Sequence, residues 1–302
     1  KSEQEKQIDV SNIDIDFSIK RFDVDFYRAT KVTLPKVKNN YPYLFPKSFS
    51  DSLAIAKINN SDEQELFSET QKKYHDISEL QSQLISLFKH IKFYNSQFKV
   101  PNVVTMLSNI DYDSRVIYAD SLLLISLDVY LGKEHRFYGD YPKYIKENNT
   151  RENIIVDVAN SIINKHIINQ HDRSFLGKII HEGKKMYLLD AYVPSVSDKL
   201  KIGYEQEKID WAINNEEQIW KYFIERKLLF STDTKLNKRF IDNSPFSKFY
   251  LSDDNKSPGR IGVWLGWQIV RSYMKHNDVS LQKLIKIKSQ DLFKKSKYKP
   301  KK

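Results

Sequence analysis

The chain has 302 residues, with 49 Lys and Arg against 39 Asp and Glu, seven His, eight Gly and no Cys, for a formal charge of +10 and a pI near 9.3. With 40% apolar residues, 17 Phe, 18 Tyr and four Trp it can bury a sizeable core, which excludes wholesale disorder. The absence of cysteine excludes disulfide scaffolds, thiolate zinc sites, iron–sulfur clusters and cysteine nucleophiles, and no apolar run approaches the ~18 residues that span a bilayer.

Charge is unevenly placed. Residues 1–150 hold 20 basic and 21 acidic side chains, which leaves 29 basic and 18 acidic for 151–302. Residues 294–302 alone carry six lysines, Lys294, Lys295, Lys297, Lys299, Lys301 and Lys302, and no acid. Such a run reads as a solvated, frayed end, with an electrostatic docking handle as the alternative. The aromatics are not interleaved with Lys or Arg on one short element, so no base-stacking platform is evident and nucleic acid is not an expected partner. The chain starts at Lys1, and 1–6 (KSEQEK) lacks the apolar stretch of a signal peptide, so the expectation is a chain whose targeting segment has been removed.

In chain order, Ile13, Ile15, Phe17 and Ile19 alternate with polar residues and predict a half-buried strand, continued by Phe22, Val24 and Phe26, in an antiparallel or edge position. NNYPYLFP (39–46) contains two prolines and predicts a loop pinned by its aromatics. Helical spacing follows over 62–74 and 77–94, the latter through Leu80, Leu84, Leu87, Phe88 and Ile91. The runs 103–107, 115–118 and 122–127 predict three further short strands. Asp111 and Asp113 lack the glycine and distal Glu of an EF-hand, so they predict a turn. After Gly132 the pattern is largely helical, over 154–168, 175–189, 205–229, 235–241 and 260–275. With no internal repeat, this order predicts an α+β fold, mainly helical, with one continuous core over 13–293 between an N-terminal linker (1–12) and the Lys-rich tail (294–302).

Residues able to carry chemistry are sparse. In SPGRIGVWLGWQIVRSYM (257–274), Ser257 fits a helix N-cap and Pro258 the first turn, while Gly259, Gly262 and Gly266 predict close helix packing flanked by Trp264 and Trp267. A phosphate cradle needs its glycines in a loop before the helix, with Lys and a hydroxyl at its start, and that pattern is missing. His166, His171 and His181 are spaced five and ten apart, and none of the seven histidines forms the i, i+4 pair of a zinc helix. Glu182 lies among Ile179, Ile180, Met186 and Tyr187 and reads as a partly buried structural carboxylate.

Several segments carry a resemblance: RFDVDFY (21–27), YPYLFP (41–46), LISLDVYLG (124–132), FIERKLLFSTD (223–233), RFIDNSPFSKF (239–249), the glycine segment above and SKYKPKK (296–302). Together the chain resembles the gliding-motility lipoprotein GldB family of Bacteroidota. That resemblance implies a protein of the cell envelope, lipid-anchored through an N-terminal Cys preceding Lys1 and facing the periplasm, whose partners are other envelope proteins of gliding and type IX secretion. A wider resemblance is to zinc peptidases in which a His-Glu-x-x-His helix follows a segment like ENIIVDVA (152–159) and a later helix carries Glu-Gly. It implies a zincin-like metallopeptidase-type domain with a small antiparallel sheet. The motif would fall on Asn160, Ser161 and Asn164, with both imidazoles and the general-base Glu replaced, and the third ligand would survive as Glu182, 18 residues beyond Asn164. The resemblance therefore implies a pseudoenzyme with no cofactor and no metal, acting through protein contacts. The alternative expectation is a hydrolase, metal-dependent or otherwise, whose site assembles from distant residues such as Asp157, His181 and Glu182.

Overall fold

A computed structural model describes residues 8–167 and 172–301, so His171 and Lys302 lie outside the described residues, as do 1–7 of the expected linker. Tertiary contacts sort the chain into two compact units, Ile8–Ser161 and one formed by Ile162–Lys302. The sequence reading treats 13–293 as one core. No Pro-, Gly- or Ser-rich stretch marks the division, which falls inside a helix.

The first unit runs β1 (Ile19–Arg21), α1 (Phe22–Tyr27), α2 (Leu34–Asn40), α3 (Asp51–Ile58), α4 (Ser61–Tyr74), α5 (Ser78–Tyr94), β2 (Asn102–Met106), β3 (Val116–Ala119), β4 (Leu122–Ser126) and α6 (Lys143–Lys146), and enters α7 (Asn153–His166). Its sheet has the order β1-β2-β4-β3. β1 and β4 both run parallel to β2, with Ile19 opposite Val103 and Asn102 opposite Leu122, and β3 alone is antiparallel, with Val116 opposite Ile125. The expected antiparallel sheet is thus corrected to a mixed one. The central strands bury Val103, Val104, Leu123 and Ile125 completely, as parallel strands covered on both faces do, so they show no polar alternation.

A second correction concerns 13–26. Only Ile19–Arg21 pairs, at the edge of the sheet as expected, and from Phe22 the chain becomes α1. Phe22 and Phe26 are two strand steps apart on one face, but they are also one helical turn apart, and their rings stack at 5.1 Å. The stretch 39–46 is not all loop, since Asn39 and Asn40 end α2 and Pro42–Leu44 form a 3-10 turn, but its aromatics pin it as expected, Tyr41 and Phe45 closing on Phe22 at 5.1 and 5.9 Å. At the expected turn, the Asp111 carboxylate accepts the Asp113 N–H at 3.0 Å.

The second unit contains α8 (Phe175–Tyr192), α9 (Asp198–Ile202), α10 (Gln206–Asn214), α11 (Glu216–Glu225), α12 (Lys235–Phe240), α13 (Ile261–His276), α14 (Leu281–Lys286) and α15 (Ser289–Ser296). Its central event is the crossing of α8 and α13. A Cβ on Gly266 would lie 1.8 Å from the Ile179 carbonyl oxygen, and one on Gly183 would lie 2.3 Å from the Gly266 carbonyl, so neither backbone tolerates a side chain. Trp264 and Trp267 are buried beside the crossing, as expected.

Three expectations are corrected here. The helix predicted over 205–229 breaks at Asn215, whose side chain donates to the Trp211 carbonyl at 2.8 Å and separates α10 from α11. Ser257 does not cap α13, which begins at Ile261 after Arg260 at φ 58°. The Ser257 hydroxyl instead accepts the Ser247 N–H at 3.1 Å and donates to the Asp254 carbonyl at 2.6 Å, tying the preceding loop. The C-terminal run is not frayed: α15 extends to a fully buried Ser296, and beyond it the Tyr298 hydroxyl donates to Glu216 at 2.7 Å.

Candidate functional site

α7 forms because apolar residues recur on one face, burying Ile154, Val158, Ala159 and Ile162. The same spacing leaves Asn160 and Asn164 one turn apart, with Asn160 and Ser161 half-buried and Asn164 exposed. Asn160 and Ser161 fall in the first unit, and Asn164 and Glu182 in the second. Asp157, one turn before Ser161, is engaged within the first unit: the Tyr130 hydroxyl donates to it at 2.8 Å and Arg115 approaches to 3.8 Å. Tyr130 is fully buried, and that burial, with the Asp157 charge next to its hydroxyl, raises its pKa well above the phenolic norm.

In the second unit, α8 starts at Ser174, whose hydroxyl accepts the Gly177 N–H at 3.0 Å. One side of the helix faces α13 through Gly183. The next borders a cleft of about 560 Å³ lined by Arg173, Lys178, His181, Glu182, Lys184 and Lys185 among others. Two sequence-selected residues, His181 and Glu182, therefore meet at a cavity, whereas Asp157 does not line it. The Glu182 carboxylate takes a 2.8 Å bond from Lys185, one turn on. Lys184 is buried, with its Nζ 2.5 Å from the Ile287 carbonyl and 3.3 Å from that of Ile285, and burial lowers its pKa to about 8. Burial, followed by the Lys185 charge, also pushes His181 below the ordinary imidazole value, so the ring is neutral at pH 7. Among the described residues no three His, Asp or Glu side chains converge as metal ligands would.

Two acids, the half-buried Asp190 and the fully buried Asp128, are not singled out by the sequence reading. Asp190 accepts Trp267 Nε1 and Arg271 Nε at 2.8 Å and Lys201 Nζ at 3.0 Å, and Arg271 also reaches Asp198 at 2.6 Å, which locks α8, α9 and α13 together. Asp128 lies just past β4 with no exposure, accepting the N–H groups of Ser108 at 3.0 Å and Ile110 at 2.6 Å. Its signal was the single charge inside the apolar run LISLDVYLG.

The family model described as gliding motility protein GldB matches residues 3–300, nearly the whole chain. The chain belongs to the GldB family. It is accordingly a gliding-motility-related protein, and the model's label marks a lipoprotein family of the cell envelope. No curated protein and no solved structure matches it. Among the described residues, no helix is long and apolar enough to cross a membrane. In this GldB-family chain the first unit offers an amide and a hydroxyl at Asn160 and Ser161, and the second unit offers, by itself, an amide at Asn164 and a lysine-paired carboxylate at Glu182.

Proposed function

We propose that this GldB-family chain is a non-catalytic component of the gliding-motility and type IX secretion apparatus, lipid-anchored and facing the periplasm, which holds partner proteins on a degenerate, zincin-like peptidase domain. The observation that carries the reading is the donor set. Asn160 and Asn164 offer neutral amides where a zinc helix would offer imidazoles, and Ser161 has no carboxylate with which to deprotonate a metal-bound water. Glu182, the one carboxylate retained, is bonded to Lys185. These residues do not fit a catalytic zinc ion. The lysines that border the cleft beside Glu182 support recognition of a partner surface.

Two measurements test this. Purified protein is expected to bind no stoichiometric zinc and to leave unstructured peptides intact; zinc binding with cleavage that disappears in Glu182→Ala would overturn the reading. In cells, a photo-crosslinking residue placed at Lys178, on the cleft, is expected to capture a defined motility or secretion protein.

A further inference from the structure

The α8 cleft is not the only concavity in the second unit. A slot of about 340 Å³ lies between α10, α11 and the 249–257 loop, and its chemistry is unlike that of the lysine-lined cleft. Its walls are aromatic: Tyr222 meets Phe249 edge-on at 5.0 Å, and Trp211 lies 6.4 Å from Phe249. Its mouth carries the carboxylates of Glu225, Asp253 and Asp254 against two cations, Lys221, which is itself paired with Glu217 at 3.1 Å, and Lys256, which lies 3.4 Å from Asp253. In a half-chain with 29 basic and 18 acidic side chains, a locally acidic mouth runs against the prevailing charge.

The loop beside the slot is held in an unusual form. Asp254 accepts the N–H groups of Tyr250 at 2.8 Å and Leu251 at 3.3 Å, which keeps Tyr250 at φ 64°. A bulky aromatic residue disfavours that left-handed conformation, and it persists only because its surroundings impose it. The result is a pair of outward apolar side chains, Tyr250 75% and Leu251 57% exposed, with Leu251 on the lip of the slot. Neither adds to the core at that exposure.

The same face already receives one cation. The Arg239 guanidinium lies 4.4 Å over the Tyr250 ring and 4.6 Å over Phe240, and it donates to the Tyr222 hydroxyl at 3.0 Å. Tyr222 thus separates an aromatic site filled by the protein's own guanidinium from a second aromatic site, the slot, whose mouth is acidic. Ring faces attract cations through their quadrupole, and carboxylates at the mouth strengthen that attraction while repelling anionic ligands.

We propose that this slot docks a Lys or Arg side chain carried on an extended segment of a partner protein, the cation entering between Trp211 and Tyr222 toward Glu225 and Asp253 while a neighbouring apolar residue of the segment covers Leu251. The site is independent of any chemistry at Glu182, so the peptidase assays above neither support nor weaken it.

The test uses the full chain and four capped pentapeptides, Gly-Leu-X-Leu-Gly, in which X is Arg, Lys, norleucine or Glu. The readout is the indole N–H signal of Trp211, assigned among the four Trp by NMR. The Arg and Lys peptides are expected to shift it saturably, the norleucine peptide several-fold more weakly and the Glu peptide not at all. Glu225→Gln and Asp253→Asn, both at exposed positions that leave the fold intact, are each expected to weaken the Arg peptide by on the order of two- to fivefold. Equal binding of the norleucine and Arg peptides would make the slot a plain apolar groove and overturn the proposal. No shift with any peptide, or affinity unchanged in both variants, would overturn it as well.

Discussion

At the residue scale, Asp128 is the side chain with the most opposed demands on it. Burial pushes its pKa up to about 6, although the N–H groups of Ile110 and Ser108 favour the charged form. Those N–H groups sit in a turn where Asn109 and Ile110 both adopt positive φ, which Asn tolerates and β-branched Ile disfavours, so the carboxylate holds Ile110 in a strained conformation. The unfolded chain binds this proton only below pH ~4, whereas the folded chain holds it to about 6. The contribution to stability is therefore fullest below about pH 4 and is lost as pH rises through 6. Urea unfolding of wild type and Asp128→Asn at pH 4 and pH 7 is expected to show wild type losing on the order of 3 kcal/mol relative to the variant over that range. Parallel curves would mean that Asp128 is charged throughout. The residue is visible in the sequence as a lone acid in an apolar run, but its partners are not, because backbone N–H groups twenty residues away leave no compositional trace.

The crossing of α8 and α13 decides most at the element scale. Three glycines in one 18-residue segment predicted close helix packing, and two of them meet it, Gly266 against Ile179 and Gly183, and Gly262 against Phe240, whereas Gly259 precedes α13 and lies against the Ser244 carbonyl. Gly266→Ala would force its methyl into a backbone carbonyl, which cannot rotate away, and is expected to cost about 3 kcal/mol or more, seen as a large fall in thermal midpoint or loss of soluble protein. Gly139→Ala is the control. Its added Cβ would meet only the Arg136 carbonyl at 3.6 Å, and its φ is −53°, so its effect is expected to stay within about 0.5 kcal/mol. Elements with a long, single period were legible in this way. Thus 62–74 and 77–94 correspond to α4 and α5, and the three strands after Pro101 lie within a residue or so of β2, β3 and β4. The failure over 22–26 has an equally simple cause, since apolar residues at 22 and 26 satisfy a strand and a helix alike. The break at Asn215 was hidden because an Asn inside a helical pattern signals an interruption only when its side chain finds the carbonyl four residues back.

For the whole molecule, the charge of +10 resolves into a display at one end. Lys294, Lys295, Lys297, Lys299 and Lys301 are exposed, but the backbone that carries them is fastened. Trp220 lies between Phe293 at 5.8 Å and Tyr298 at 5.4 Å, and Ser272 donates to the Ser296 carbonyl at 2.8 Å. Burial raises the Tyr298 hydroxyl strongly in pKa, with Glu216 adding to the shift, so it stays a protonated donor. Truncation after Phe293, which a frayed tail would tolerate, is instead expected to lower the thermal midpoint by about 6–12 °C through loss of this anchor. Replacing Lys299 and Lys301 by Gln is expected to leave the midpoint unchanged. Lost motility in that substituted chain, with stability intact, would mark the lysines as a docking element.

Residue identity and local period suffice for a mainly helical α+β chain without thiol chemistry, for its longer helices and, through its segments, for membership of the GldB family. Tertiary structure alone decided the parallel pairing of Ile19 with Val103, the division into two units, the carboxylate clamps at Asp128 and Asp190, and the two concavities of opposite character on the second unit. The physical reason is range. Propensity and capping act within a few residues and leave a pattern, whereas strand pairing, charge satisfaction and pocket shape join side chains and backbone groups many residues apart, which no local pattern specifies.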